Sequence, residues 1–216
     1  MKQPASILVT DFDGTMTSHD FYRLALARLL PPDVPDFWDD YLAGRLTHFE
    51  ALQRIFTHIR GQECAVMAVV RAMELDPQAG QAVRRLHAAG WHVRVASAGC
   101  LWYINRLLAE QQIQVAVHGN PGVYDPEQGL RMSLPIDSPY FIPTTGIDKL
   151  AVVRDALQRS AIVAFAGDGP PDLPPALLVP PARRFARGYL AAALRERGEA
   201  FQKFARWSEI AARLLG

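Results

Sequence analysis

Apolar and polar positions along the chain fall into short blocks whose period changes. SILVT, Ser6 to Thr10, is a continuous apolar and β-branched run of strand length, the pattern of a strand buried on both faces. From Asp20 to about Leu30 the spacing turns helical, and Pro31-Pro32 stops it. Every segment from Pro35 to Glu74 keeps helical spacing, with Thr47 and Glu50 placed for a capping box. Asp76-Pro77 opens another helix that runs to Gly90, its stop signal. Strand and helix then alternate. Trp91–Ser97 reads as a strand, CLWYINRLLAEQQ as a helix and Ile113–Gly119 as a strand. Asn120–Thr145 is rich in Pro, Gly and Asp and reads as hairpin and loop. Asp148 to about Ser160 is helical, and Ala161–Gly167 is a strand. Beyond Pro181, FARGYLAAALRERG and FARWSEIAARLL read as amphipathic helices.

This alternation predicts an α/β fold, a Rossmann-like parallel sheet with helices on both faces. The all-helical block interrupts it after the first strand. The expected organisation is therefore an α/β core from residues 1–17 and 75–216, with a small helical-bundle cap inserted at 18–74. The insert would sit above the sheet's C-terminal edge, where open α/β sheets bind ligands.

Composition narrows the function classes. The 216 residues are 50% hydrophobic, with 23 basic and 22 acidic side chains and a net charge of +1. That balance argues against nucleic acid or a membrane surface as partner. No apolar run reaches the length of a membrane span and no secretion signal pattern opens the chain. Cys64 and Cys100 are too few for a disulfide framework, and the six His show no zinc-ligand spacing. A cytoplasmic enzyme is the expectation, with its oligomeric state open. Lys2, Lys149 and Lys203 are the only lysines. A mid-chain Lys149 in an Arg-rich chain marks a place where a compact ammonium suits better than a planar fork, although chance explains it as well.

The strand ends carry the chemistry. The first strand runs into Asp11-Phe12-Asp13-Gly14-Thr15, the second ends on Ser97-Ala98-Gly99, and a later one ends on Asp168-Gly169 with Asp172 following. Lys149 opens the helix before that later strand. Each part alone has an ordinary reading as a turn or helix cap. Together they collect carboxylates that repel one another unless a cation sits among them, beside a hydroxyl, free amides and an ammonium that suit a phosphate. Hard oxygen donors suit Mg²⁺. A cation site beside an anion site is a phosphoryl-transfer layout.

In this order and spacing, Asp11-x-Asp13-Gly14-Thr15, Ser97, Lys149 and Gly167-Asp168-Gly169-x-x-Asp172 resemble the four motifs of the haloacid dehalogenase superfamily. The insert resembles the cap of the subgroup that includes phosphoserine phosphatase. Finer pieces, DFDGTMTSHD, LDPQAGQAVRRLHAAGWHVRVASAGCLWYI, Asn120 and GDGPPDLPPALL followed by RRFARGYL, look closest to the 2-hydroxy-3-keto-5-methylthiopentenyl-1-phosphate phosphatases of methionine salvage.

The resemblance implies a Mg²⁺-dependent phosphatase acting on a small-molecule phosphate ester. Asp11 would be the nucleophile that forms an aspartyl-phosphate, and Asp13 the general acid/base. Asp11, Asp13 through its carbonyl, and Asp168 would hold the metal, with Asp172 as ligand or support. Ser97, Ala98, Gly99 and Lys149 would hold phosphate, with Gly14 and Thr15 forming the turn. His19, Asp20, Phe21 and Tyr22 would line the specificity pocket. Phosphoserine phosphatases carry Glu where this chain has Asp20, which disfavours phosphoserine. A phosphotransferase on the same residues and a silent binding protein on the same fold stand as alternatives. Phe37, Trp38 and Tyr41 read as core of the insert, and Phe185, Tyr189, Phe201, Phe204 and Trp207 as core or docking residues. Arg183, Arg184 and Arg187 read as a solvated face.

Overall fold

The computed structural model describes residues 6–216. Strand β1 (Ser6–Thr10) is buried along its whole length, as a central parallel strand must be. Four helices follow: α1 (Phe21–Arg28), α2 (Phe37–Leu42), α3 (His48–Thr57) and α4 (Glu63–Arg71). Helix α3 starts on the predicted capping box, with Thr47 and Glu50 bonding each other's main-chain amides at 2.8 and 3.2 Å. Then come α5 (Ala79–Ala88), β2 (Trp91–Cys100), α6 (Leu101–Glu110) and β3 (Ala116–Asn120). Two hairpins follow, β4 (Gly122–Asp125) with β5 (Gly129–Met132), and β6 (Phe141–Ile142) with β7 (Gly146–Ile147). The chain finishes with α7 (Lys149–Arg159), β8 (Val163–Gly167), α8 (Leu173–Ala176), β9 (Arg184–Ala186), α9 (Gly188–Glu196), β10 (Gln202–Lys203) and α10 (Ser208–Leu215).

The main sheet has six parallel strands in the order β10-β9-β8-β1-β2-β3. The order reverses beside β1, so β1 lies between β8 and β2 and their C-terminal ends open together. That is the topological switch point, where α/β sheets bind ligands. Apolar clusters cover both faces: Leu8, Val93 and Val95 contribute to one, and Ile7, Val9 and Phe165 to the other.

Three expectations need correction. FARG has the pattern of a helix start, but Arg184–Ala186 pairs with β8 as a strand. Helix α9 starts only at Gly188. FARW was likewise read as helical, whereas α10 begins at Ser208 after Trp207 has buried itself and donated its indole N–H to Thr10 Oγ1 at 3.0 Å. Two of the three arginines, Arg184 and Arg187, do not form a solvated face. Arg184 is only 4% exposed and bonds the carbonyls of Ala176 and Val179 and the Glu199 carboxylate. Arg187 reaches the carbonyls of Gly14, Thr17 and Ala205. The predicted hairpin is present as β4–β5, and it packs on α3 and the loop after it: Gln53 donates to the Met132 carbonyl and Tyr124 to the Gly61 carbonyl.

Candidate active site

Strand β1 ends at Thr10, and the next residues turn back, Met16 N–H donating to the Phe12 carbonyl at 2.9 Å. Gly14 sits at φ +68°, and a Cβ there would lie 2.5 Å from Asp168 Oδ2. Only glycine combines this backbone with that close approach. The turn separates the two carboxylates that an extended strand would have placed side by side. Asp11 stays in the floor, 6% exposed, and Asp13 rises beside α6.

The floor is one chain of charges. Lys149, the first residue of α7, is 6% exposed and lies 2.7 Å from Asp11 Oδ1 and 2.7 Å from Asp172 Oδ1. The other Asp172 oxygen accepts the amides of Asp168 and Gly169, each at 2.9 Å. Pro170-Pro171 removes two donors from this loop but leaves those two amides free to bracket Asp172. Asp168 accepts from Thr15 Oγ1 at 2.8 Å. Carboxylate oxygens of Asp11, Asp168 and Asp172 lie within 4.8 Å of one another.

The electrostatics are those of a site short of positive charge. Burial lifts the Asp11 carboxyl well above the usual range; Lys149 opposes this, while Asp172 and Asp168 add to it. Burial and the neighbouring Asp172 push Asp168 to about 6. Burial pulls Lys149 down, but Asp11 and Asp172 more than reverse that, so its ammonium is firmly held. Three clustered carboxylates against one lysine, all hard oxygen donors, fit a divalent cation such as Mg²⁺.

Asp13 has its own surroundings. The Tyr103 hydroxyl lies 3.0 and 2.9 Å from the two Asp13 oxygens and donates to them, and the Phe21 amide donates to Oδ1 at 3.2 Å. Burial, then the nearby Asp20 charge, raise Asp13 to about 7. Strand β2 runs on to Cys100 rather than ending at Ser97 as the pattern predicts, so Ser97 lies inside it; its hydroxyl is 3.4 Å from Asp13 Oδ2 and accepts the Gly99 amide at 2.9 Å. A side chain at Gly99 would collide with the Tyr103 hydroxyl, so glycine is required there.

These groups floor a cleft of about 520 Å³ that includes Asp11, Asp13, Ser97, Ala98, Gly99 and Lys149. Of the predicted specificity residues, Asp20 and Tyr22 line it. Phe21 is fully buried in the core and contributes its amide instead. His19 lies outside the lining, 3.7 Å from Glu74. Trp38 and Tyr41, read as core of the insert, are only partly buried and face this cleft. Sequence reasoning missed Tyr103, His48 and Arg187. Tyr103 and His48 sit at ordinary helical positions with no distinguishing neighbours, and their roles come from tertiary contact. RRFARG carried a signal only in its cluster of charge beside a buried-looking Phe185.

In fold, the chain is similar to solved phosphatases and hydrolases. A HAD family hydrolase from Salmonella enterica serovar Typhi superposes with a TM-score of 0.66 at 19% identity, covering 94% of this chain and 68% of the other. A substrate-bound phosphoserine phosphatase gives 0.62 at 12% identity over 96% and 97%. A phospho-aspartyl intermediate analogue of phosphoserine phosphatase gives 0.62 at 13% identity over 97% and 99%. No curated protein matches the chain by sequence. No helix among the described residues is long and apolar enough to cross a membrane. The sheet order, the strand-end carboxylates and a family match over residues 8–178, well over half the chain, agree: this protein belongs to the haloacid dehalogenase-like hydrolases.

Proposed function

We propose that the protein is a Mg²⁺-dependent phosphatase that hydrolyses a small phosphate monoester through an aspartyl-phosphate on Asp11. The observation that carries this reading is the buried Asp11–Lys149–Asp172 chain beside Asp168, with Asp13 two residues from Asp11 at the same cleft.

Asp11 and Asp168, with the main-chain carbonyl of Asp13, would hold the cation, and Asp172 supports them because both its oxygens are already engaged. When bound, Mg²⁺ supplies positive charge that offsets the carboxylates and the incoming phosphate. Ser97, the Ala98 amide and Lys149 hold phosphate oxygens, the Gly99 amide joins them on release from Ser97 Oγ, and Gly14 and Thr15 fix the turn and Asp168.

An Asp11 oxygen attacks phosphorus and the bond to the leaving oxygen breaks. Asp13, neutral in a substantial fraction near pH 7, gives its proton to that oxygen. The Asp13 carboxylate then takes a proton from water, whose oxygen attacks phosphorus. Phosphate leaves and the Asp11 carboxylate is restored.

By resemblance of sequence alone, the methionine-salvage enol phosphate is the finer candidate. Phosphoserine is the alternative suggested by the solved phosphoserine phosphatases of like fold. A phosphotransferase differs only in an acceptor alcohol outcompeting water. The test is phosphate release from a panel of small esters with Mg²⁺ and with chelator. Release that requires Mg²⁺ is expected. A folded protein with no release on any ester and transfer to no alcohol leaves the silent binding protein instead.

A further inference from the structure

The wall of the cleft differs sharply from its floor. The inserted helices present Tyr22, Trp38, Tyr41 and His48 to the cavity, and the core presents Tyr189 and Pro171. The Tyr22 and Trp38 rings stack at 4.0 Å and 20°. Tyr41 and His48 meet edge to face at 5.4 Å, and His48 meets Trp38 likewise at 5.4 Å. None of the four is fully buried, so aromatic surface is open to the cavity. Aromatic surface left in water is unfavourable, and an aromatic guest stacked on it gains beyond the area it buries.

His48 adds a second observation. Its Nδ1 is sealed from solvent without a hydrogen-bond partner among the described residues, while the ring itself lines the cavity. A neutral imidazole carries one donor and one acceptor, and the protein leaves at least the one at Nδ1 unused. Burial holds the ring neutral by pushing its pKa down to about 4.

Charge points the same way. An amino-acid leaving group needs a free anion and a free cation. The charged side chains on the upper wall, Asp20 and Arg23, are spent on each other at 3.1 Å. A cavity of about 520 Å³ also falls in the range that encloses a drug-sized ligand rather than a three-carbon one.

We propose that the preferred substrate is a phosphate monoester whose alcohol carries a planar heteroaromatic ring, with Trp38 stacking on the ring and His48 bonding its heteroatom. This rests on the phosphatase reading of the same site.

The test compares phosphate release, with Mg²⁺, from 3-pyridylmethyl phosphate, benzyl phosphate, hexyl phosphate and O-phospho-L-serine. Both ring esters should exceed the other two by about two- to tenfold in kcat/KM, the equivalent of one stacked ring. Trp38→Ala should erase most of that margin, and Trp38→Phe, which keeps a ring, should retain it. His48→Phe should bring the ratio of pyridylmethyl to benzyl ester down to about one. Phosphoserine or hexyl phosphate at or above the ring esters, or a margin untouched by Trp38→Ala, overturns the inference while leaving the phosphatase reading intact. Should no ester turn over, the phosphatase reading is what fails. The cleft is then tested separately by titrating 4-nitrobenzyl phosphate into the folded Asp11→Asn protein and following tryptophan fluorescence. Quenching that Trp38→Phe removes supports the aromatic site, and no quenching overturns it.

Discussion

Replacing Lys149 with Met tests whether one ammonium balances the floor of the cleft. Its Nζ lies 2.7 Å from both Asp11 and Asp172, and all three groups are almost completely buried. Met fills similar space but leaves two carboxylates facing each other beside Asp168. Removing one partner of a buried ion pair costs about 3–5 kcal/mol, because the remaining charge is stranded rather than solvated. In a domain of this size each kcal/mol moves Tm by about 2–4 °C, so a fall of about 6–20 °C is expected. The assay is thermal unfolding followed by circular dichroism, in chelator, at pH 7.5. The deficit should shrink as pH falls, because protonation removes the stranded charge from carboxyls that burial already holds high. It should also shrink when Mg²⁺ is added, since a cation bound to the folded state alone stabilises it. A Tm within about 2 °C of the parent protein at pH 7.5 would refute the claim that Lys149 offsets these carboxylates.

Asp13→Asn should raise Tm at pH 8 and give no gain near pH 4. The folded-state value of about 7 lies above the ordinary 3.8, so the group's contribution is fully present below 3.8 and lost as pH rises through about 7. A gain that is the same at both pH values would contradict that sign. Tyr103→Phe removes the hydroxyl that donates to both Asp13 oxygens and so favours the charged form; the Asp13-dependent limb of the pH–rate profile should move to higher pH, and an unmoved limb would deny the contact a role. Gly14→Ala forces a left-handed residue and drives a methyl against Asp168; a stability loss of at least about 1–3 kcal/mol in urea is expected, with weaker Mg²⁺ binding.

Much of this was legible in the chain because buried parallel strands need continuous apolar runs. SILVT and VAFAG announced themselves, and so did the carboxylates at their ends. The capping box at Thr47 and Glu50 is a local device and was found locally. What escaped depends on contacts made across the fold. FARGYLAAAL has helical spacing throughout, yet RFA is taken by the open edge of β8, and tertiary pairing overrides propensity. Trp38 and Tyr41 look like core residues because aromatics usually are. Only the position of α2 beside the cleft turns them into a wall. Arg184 and Arg187 look like surface charge, and only the carbonyls waiting inside the fold explain the burial of one and the inward reach of the other.

The central claim is that Asp11 becomes covalently phosphorylated. The most direct measurement is intact mass after acid quench of Mg²⁺-loaded protein turning over a reactive ester, for the parent and for Asp11→Asn. A fraction of the parent should be heavier by one phosphoryl group, carried on the peptide containing Asp11, with none in the folded variant, which should also fail to release phosphate. Phosphate release that persists in Asp11→Asn, or a phosphoryl group on another residue, would contradict it.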